Sequence, residues 1–454
     1  MATTPSKFLG PMRPLLRGIA RATLGRLPPP ASRLTGKLAK EGGTPVRDTR
    51  LRPWQGLQAG HAEDWEGGLR DEFRRILNSG TEGLPQPLAT KFAQQWAEFC
   101  GCRYGLLMPH GTDALRIALA AVLDHDGLDY GGEIIVPNFS FIASATAALD
   151  RRFGVAFVDV DPGTLLLDPA CVEEAIVPGK TRAIMPVHLF GQPADMTALR
   201  AIADRHGLKI IEDAAQAHGA VWQDGPVGSL SDAAGFSFQS QKNLSSGEGG
   251  AFVTNDEQVF ERAYMIHNVG RERIGGGRWE HVSLGWNCRP TEYQAAVLLQ
   301  RFKSFERQQA IRMKNFLRLR ELMTDVSSLV PLTLNPGTRR HGVHMFAVRY
   351  NPEFGGGRSL EEFLELVRAE GVPIYRCFAS TIAGQLAIKK LMQTRPEYFR
   401  LLYTPVADQA AEDSAYIPQQ IFLGSDEDME DIAAGIRKVE RSLTANGIGG
   451  RRKP

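Results

Sequence analysis

The chain has 454 residues, 43% hydrophobic and 23% charged, with a formal net charge of +2; that length exceeds one typical core and predicts two domains. The near-neutral balance offers no extended basic face for nucleic acid, and no stretch approaches the roughly 18 apolar residues of a membrane-spanning helix. Five cysteines form an odd, sparse set, which argues against a disulfide framework and for a reducing, cytoplasmic setting.

In chain order, residues 1–38 form a basic extension. Lys7, Arg13, Arg17, Arg21, Arg26, Arg33 and Lys37 occur there without any Asp or Glu. Leu16, Ile19, Ala20 and Leu24 between those charges predict a short amphipathic helix from about Pro14 to Leu24, excluded from Pro28 onward by three consecutive prolines. Three readings are open: a solvated arm, a weak surface anchor to acidic lipid or an acidic partner, and an organellar transit peptide. Cys100 and Cys102 lack the further ligands of a tetrahedral zinc site, and no metal is expected.

Residues 39–290 read as a large α/β domain. Short apolar runs at Glu133–Val136, Val155–Asp159, Arg182–Val187, Leu208–Ile211, Gly235–Phe238 and Ala251–Thr254 predict strands. Helices are predicted between them at Thr112–Leu123, Ser140–Leu149, Pro169–Glu174, Asp195–Arg205 and Asp256–Met265. The nearly uniform apolarity of the runs suits a mostly parallel sheet covered by helices on both faces. A long amphipathic helix from about Glu292 to Met323, within a connection spanning 291–329, leads to a smaller α/β domain at 330–445. There strands are predicted at His344–Tyr350 and Val372–Tyr375, and helices at Leu360–Ala369 and Asp426–Leu443; residues 446–454 are a tail.

Ligands of such sheets sit at the carboxyl ends of the strands, and two reactive groups fall there. Lys242 stands between the strand ending at Phe238 and the glycine-rich turn Gly247-Glu-Gly-Gly250, and Asp213 closes the run Leu208–Ile211. An amine and a buried carboxylate on neighbouring strand ends meet the needs of pyridoxal phosphate (PLP): the amine forms the Schiff base and the carboxylate keeps the ring nitrogen protonated. A solvated turn lysine and a helix N-cap aspartate are the plainer readings of the same residues. Gly111-Thr112-Asp113 opens a helix, where free N–H groups and the dipole favour a phosphate. His188 follows another strand and is a candidate to orient cofactor or substrate as a catalytic residue, with a structural histidine as its alternative.

Seven motifs occur in one order: Gly111-Thr-Asp-Ala-Leu115, Pro137-Asn-Phe-Ser-Phe141, Phe157-Val-Asp-Val-Asp161, Pro186-Val-His-Leu-Phe-Gly191, Glu212-Asp-Ala-Ala-Gln216, Lys242 with Gly247–Gly250, and Gly285-Trp-Asn-Cys-Arg289. In combination, over roughly residues 38–439, the chain resembles the DegT/DnrJ/EryC1/StrS family of PLP-dependent aminotransferases, which have the fold-type I architecture. The resemblance implies that Lys242 is the Schiff-base lysine and proton carrier, and that Asp213 pairs with the ring nitrogen. It also implies that Gln216 contacts the ring hydroxyl, Phe141 stacks on the ring, and Ser237 joins Gly111, Thr112 and Asp113 at the phosphate. Asn287 would reach the phosphate of a neighbouring subunit, so a homodimer with shared sites is implied.

Lysine at 242, where dehydrating relatives carry histidine, implies transamination from glutamine or glutamate to a keto-sugar or keto-cyclitol. The lead-in Gly42-Gly-Thr-Pro-Val-Arg47 resembles the cyclitol and aminobenzoate-forming branch. A PLP lyase or aromatising enzyme of the same fold, a nucleotide-sugar aminotransferase, and a PLP-bound regulatory or membrane-tethered accessory protein remain alternatives. Arg289, His344, Tyr375 and Arg376 are open candidates for reading the donor carboxylate.

Overall fold

The computed structural model describes residues 36–50, 52–54, 65–79, 86–223, 225–275 and 279–448. The predicted basic helix and most of the N-terminal extension lie outside these residues, as do 449–454.

Two helices, α1 (Trp65–Ser79) and α2 (Pro87–Phe99), precede β1 (Tyr104–Met108), α3 (Gly111–Leu123), β2 (Glu133–Pro137), α4 (Ala143–Asp150), β3 (Gly154–Val158), α5 (Pro169–Ala175), β4 (Thr181–Ile184), α6 (Met196–His206) and β5 (Lys209–Asp213). After the short β6 (Val221–Trp222) and β7 (Gly225–Pro226), β8 (Ala233–Ser237) and β9 (Gly250–Thr254) complete the central layer before α7 (Glu257–His267). Asp168, Asp195 and Asp256 cap α5, α6 and α7, each accepting from N–H groups of the first turn.

The main sheet runs β1-β9-β8-β5-β4-β2-β3, with an eighth strand beside β3. Strands β2, β3, β4, β5 and β8 pair in parallel, as the apolar runs predicted. Strand β9 is antiparallel to both β8 and β1, because the segment between β8 and β9 contains no crossover helix and the chain must turn straight back. That return segment carries Lys242. Strand β1 was not among the predicted strands. One face of the sheet packs on α3, α4 and α7 through Leu115, Ala145 and Val259. The other is covered in part by α5 and α6 through Val172 and Leu199, and by an aromatic cluster of α2 with Phe92, Trp96, Phe236 and Phe238.

The 31-residue helix α8 (Glu292–Leu322) starts with a capping box in which Thr291 and Gln294 satisfy each other's backbone N–H. Beyond it come β10 (Leu329–Pro331), β11 (Thr338–Arg340), β12 (Met345–Tyr350), α9 (Leu360–Ala369), β13 (Tyr375–Arg376), α10 (Leu386–Thr394), β14 (Phe399–Leu401), α11 (Pro405–Asp413), β15 (Ser414–Pro418) and α12 (Asp426–Ile448). A second sheet has the antiparallel order β10-β12-β15-β13. The run Val372–Ile374 is not strand; only Tyr375 and Arg376 pair with β15. Among the described residues no helix is long and apolar enough to cross a membrane.

Two packing features cut across the predicted boundaries at 39 and 330. Strand β14 returns to the main sheet and pairs in parallel with β3, Phe399 opposite Val155. In the other direction, Leu38 and Trp54 are buried in the core of the smaller unit with Phe363 and Ile432. The lead-in is fastened there by charge. Arg47 donates to Asp428 at 2.6 Å and Asp431 at 3.0 Å and lies 3.8 Å over the Trp54 ring. Glu370 accepts from Ala39 N at 2.9 Å, Val46 N at 3.0 Å and Lys438 Nζ at 2.8 Å.

Because Glu370 and Lys438 are both buried, Glu370→Ala leaves an uncompensated ammonium and two orphaned N–H donors. Urea unfolding should show a loss on the order of 3–5 kcal/mol; an unchanged midpoint would mean that this strap does not hold the smaller unit.

Candidate active site

A cavity of about 630 Å³ opens at the carboxyl rim of the main sheet and is closed on its far side by the smaller unit. Gly111, Thr112, Asp113, Phe141, Asp213, Gln216, Ser237 and Lys242 all line it. These residues, up to 131 positions apart in the chain, therefore meet in one place.

Asp213 is set by the strand ladder. Its N–H donates to Pro186 O at 2.9 Å and its carbonyl accepts from His188 N at 3.1 Å. Its carboxylate accepts from Ser144 Oγ at 2.8 Å and Ala215 N at 3.2 Å. Burial pushes its pKa up, and those hydrogen bonds with the nearby Lys242 charge pull it back only in part. Lys242 sits in the turn after β8, its N–H donating to Gln239 O at 2.9 Å. Burial lowers the amine to about 8, against the opposing pull of Asp213. An amine near 8 is a usable nucleophile at neutral pH, unlike a solvated lysine.

The cavity wall at the start of α3 is shaped for an anion. Helix α3 begins at Gly111 with no side-chain cap from His110, so its first N–H groups have no intrahelical partner. The backbone comes in close: a Cβ on Gly111 would lie 2.7 Å from Ser237 Cβ, and one on Gly250 2.3 Å from His110 O. The Asp113 carboxylate is drawn to Arg116 at 2.9 Å, leaving its backbone N–H at the helix end. Phe141, also in the lining, presents a ring that is 59% exposed. Gln216 Oε1 accepts from Phe190 N at 2.7 Å, which leaves the amide N–H groups for the cavity. An anion cradle, an open aromatic face, an amide donor, a buried carboxylate and a desolvated amine match the phosphate, ring, ring hydroxyl, ring nitrogen and aldehyde of PLP.

Two expected residues stand apart. His188 does not line the cavity; it is wholly buried, with Nδ1 accepting from Ala194 N at 3.0 Å and Nε2 donating to Glu212 at 2.8 Å. Glu212 and Asp213 are adjacent on β5 and therefore face opposite ways, so a histidine paired with Glu212 sits behind the site. Only its main-chain N–H meets Asp213, at the carbonyl. Asn287 is exposed and bridged to Asn268, on a segment where Trp279, Val282, Leu284 and Trp286 are 75%, 48%, 53% and 41% exposed.

Of the open candidates for substrate contact, His344 lines the cavity, whereas Arg376 is turned to Ala411 O and Arg289 to Asn268 Oδ1. Sequence reasoning missed Ser144, Phe190, Gln239, Gln241, Cys377, Phe378 and Tyr416. For Ser144 a signal existed: it lies four residues after Ser140 on the predicted helix, and the two hydroxyls are 3.2 Å apart.

Comparison with known proteins gives the same answer. Residues 66–437 match the DegT/DnrJ/EryC1/StrS aminotransferase family. The chain is 34% identical over 427 residues to the L-glutamine:2-deoxy-scyllo-inosose aminotransferase of Streptoalloteichus tenebrarius, covering 89% of this chain and 97% of the relative. It is 35% identical over 434 residues to the enzyme of the same name from Streptomyces lividus, with the same coverage. Among solved structures it is similar to 3-amino-5-hydroxybenzoic acid synthase (TM-score 0.73, 29% identity, 84% of this chain and 97% of that one). It is also similar to DesI crystallised with its TDP-sugar product (TM-score 0.75, 27% identity, 90% and 98%). With the family matched over most of its length, the chain belongs to the DegT/DnrJ/EryC1/StrS family and is a PLP-dependent aminotransferase.

Proposed function

We propose that this protein transfers the amino group of L-glutamine to a keto-cyclitol, as a cytoplasmic homodimer with shared active sites. The observation that carries the reading is near full-length similarity to enzymes named for L-glutamine and 2-deoxy-scyllo-inosose. The cavity wall supports it: Gln239, Gln241, Cys377, Phe378 and Tyr416 supply amide, thiol, ring and hydroxyl surface, chemistry suited to a hydroxylated ring. Similarity to 3-amino-5-hydroxybenzoic acid synthase favours an aromatising enzyme as the second reading.

When bound, PLP supplies an electron sink that stabilises negative charge at the substrate carbon. The chain's own residues do the rest. Asp213 holds positive charge at the ring nitrogen, and the first turn of α3 with Ser237 anchors the phosphate. Lys242 Nζ, free once substrate has taken its place, removes the proton from the donor carbon and later delivers one to the acceptor carbon. Asn287 and the exposed apolar side chains around it are assigned to the subunit contact, where Asn287 of one protomer meets the phosphate in its partner. The site assignments of Gly111, Thr112, Asp113, Phe141 and Gln216 follow the same scheme.

Adding L-glutamine without any ketone to the PLP-loaded enzyme should remove the visible band of the lysine-bound cofactor, and a polyhydroxylated cyclohexanone should restore it. A band indifferent to glutamine contradicts the donor; restoration with a dehydrated aromatic product favours the second reading. Subunit sharing predicts complementation. Lys242→Ala and Asn287→Ala should each lose most activity alone, and mixing after subunit exchange should recover about a quarter of the wild-type rate, since half of the dimers are mixed and each holds one intact site. No recovery would place Asn287 outside the partner's site.

A further inference from the structure

Asn243, the residue after Lys242, is buried at the seam between the sheet rim and α8. Its Nδ2 donates toward Gly342 O at 2.7 Å, Val343 O at 3.1 Å and Gln309 Oε1 at 3.0 Å. Main-chain carbonyls only accept, so the NH2 end of the amide is fixed on that side and the Oδ1 end faces His344, 3.2 Å from its Nδ1. An amide oxygen also only accepts. His344 Nδ1 therefore carries the proton, and Nε2 keeps its lone pair. Burial pushes this imidazole well below its usual pKa, and the positive charges of Lys242 and Arg312 act in the same direction, so the ring stays neutral. His344 lines the cavity close enough to feel the Lys242 charge, and among the described residues the hydrogen bond of its ring is the one at Nδ1.

The backbone is bent to produce this arrangement. Val343 has φ 51 and Phe190 has φ 63, a region disfavoured for any residue with a side chain and most for a β-branched one. The two strained segments brace each other, His344 N donating to Phe190 O at 3.0 Å and Gly342 N to Gly191 O at 2.7 Å. On the other side Gln309 Oε1 also accepts from Arg312 at 3.1 Å, Arg312 Nε donates to Gln419 Oε1 at 2.7 Å, and Gln419 donates to Gln241 O at 3.3 Å. The frame thus grips the chain immediately before and after Lys242.

We propose that Asn243 holds His344 in its Nδ1-protonated form so that Nε2 accepts a hydrogen bond from a hydroxyl on the ring carbon next to the reacting carbon of the ketone, which makes His344 a specificity-determining residue. The proposal rests on the keto-cyclitol reading above. A lone pair rejects a carboxylate and selects an O–H, and Lys242, whose amine must stand at the reacting carbon, fixes which part of the substrate His344 meets. Asn243 acts through His344 as a positioning residue.

The test compares kcat/KM of the holoenzyme for a polyhydroxylated cyclohexanone with that for the analogue lacking the hydroxyls flanking the ketone. Wild type should prefer the hydroxylated ketone by on the order of tenfold to a hundredfold. His344→Leu should reduce that preference below about threefold, and Asn243→Leu should reduce it in the same direction. His344→Gln, which retains an acceptor, should keep part of it. In His344→Leu the acceptor half-reaction should fall about tenfold more than the glutamine half-reaction followed spectroscopically. A cyclohexanone-active enzyme whose preference survives in both His344 variants overturns this proposal alone. An enzyme that takes amino groups from glutamine but ignores cyclohexanones overturns the keto-cyclitol reading and this proposal with it.

Discussion

The opposition between a desolvated lysine and a buried aspartate at the rim of one sheet is the constraint to which the surrounding structure answers. Burial disfavours both charges, and neither group would remain there without support. Asp213 is held by Ser144 and the backbone of Ala215. Lys242 is held by a turn whose next residue, Asn243, is wedged among carbonyls of the segment leading into β12. The cost of burial lies in the right direction for chemistry: the amine moves toward neutrality near physiological pH, and the carboxylate sits where a ring nitrogen can share its charge.

The sheet supplies the geometry through a departure from its own rule. Parallel strands β5 and β4 end at the rim and bring Asp213 and the Pro186–His188 segment there, while β9 turns back antiparallel and so places the Lys242 turn over the rim instead of sending the chain into a crossover helix. The smaller unit completes the cavity with His344, Cys377, Phe378 and Tyr416. Its attachment is therefore part of the site. The Arg47 and Glu370 contacts fasten the N-terminal lead-in to that unit, and β14 anchors its chain in the main sheet.

What the sequence disclosed follows a physical division. Lys242 and Asp213 were legible because each follows a short apolar run, and strand ends of such sheets share one rim; Gly111 was legible from the helix it opens, and Ser237 only through the family motifs. The antiparallel β9 escaped because strand patterns report burial and not direction. Cys377, Phe378 and Tyr416 carry no local signal, since only long-range packing brings them to the cavity. His188, a strand-end candidate with a structural histidine as its alternative, is paired with Glu212 and does not line the cavity, because period two along β5 turns Glu212 and Asp213 to opposite faces. The fixed proton on His344 carries no sequence signal, because it depends on which end of one amide faces two carbonyl oxygens.

The most direct measurement is the rate at which the PLP-free protein captures PLP as a function of pH, corrected for the ionisation of PLP itself. With Lys242 near 8, capture should rise roughly fivefold from pH 7 to 8 and less than about twofold from pH 8 to 9. Asp213→Asn should move the midpoint to lower pH, because the carboxylate is the group that raises this amine. A rate that climbs about tenfold per pH unit through pH 9, as a solvated lysine would give, would contradict the desolvated amine on which the account is built.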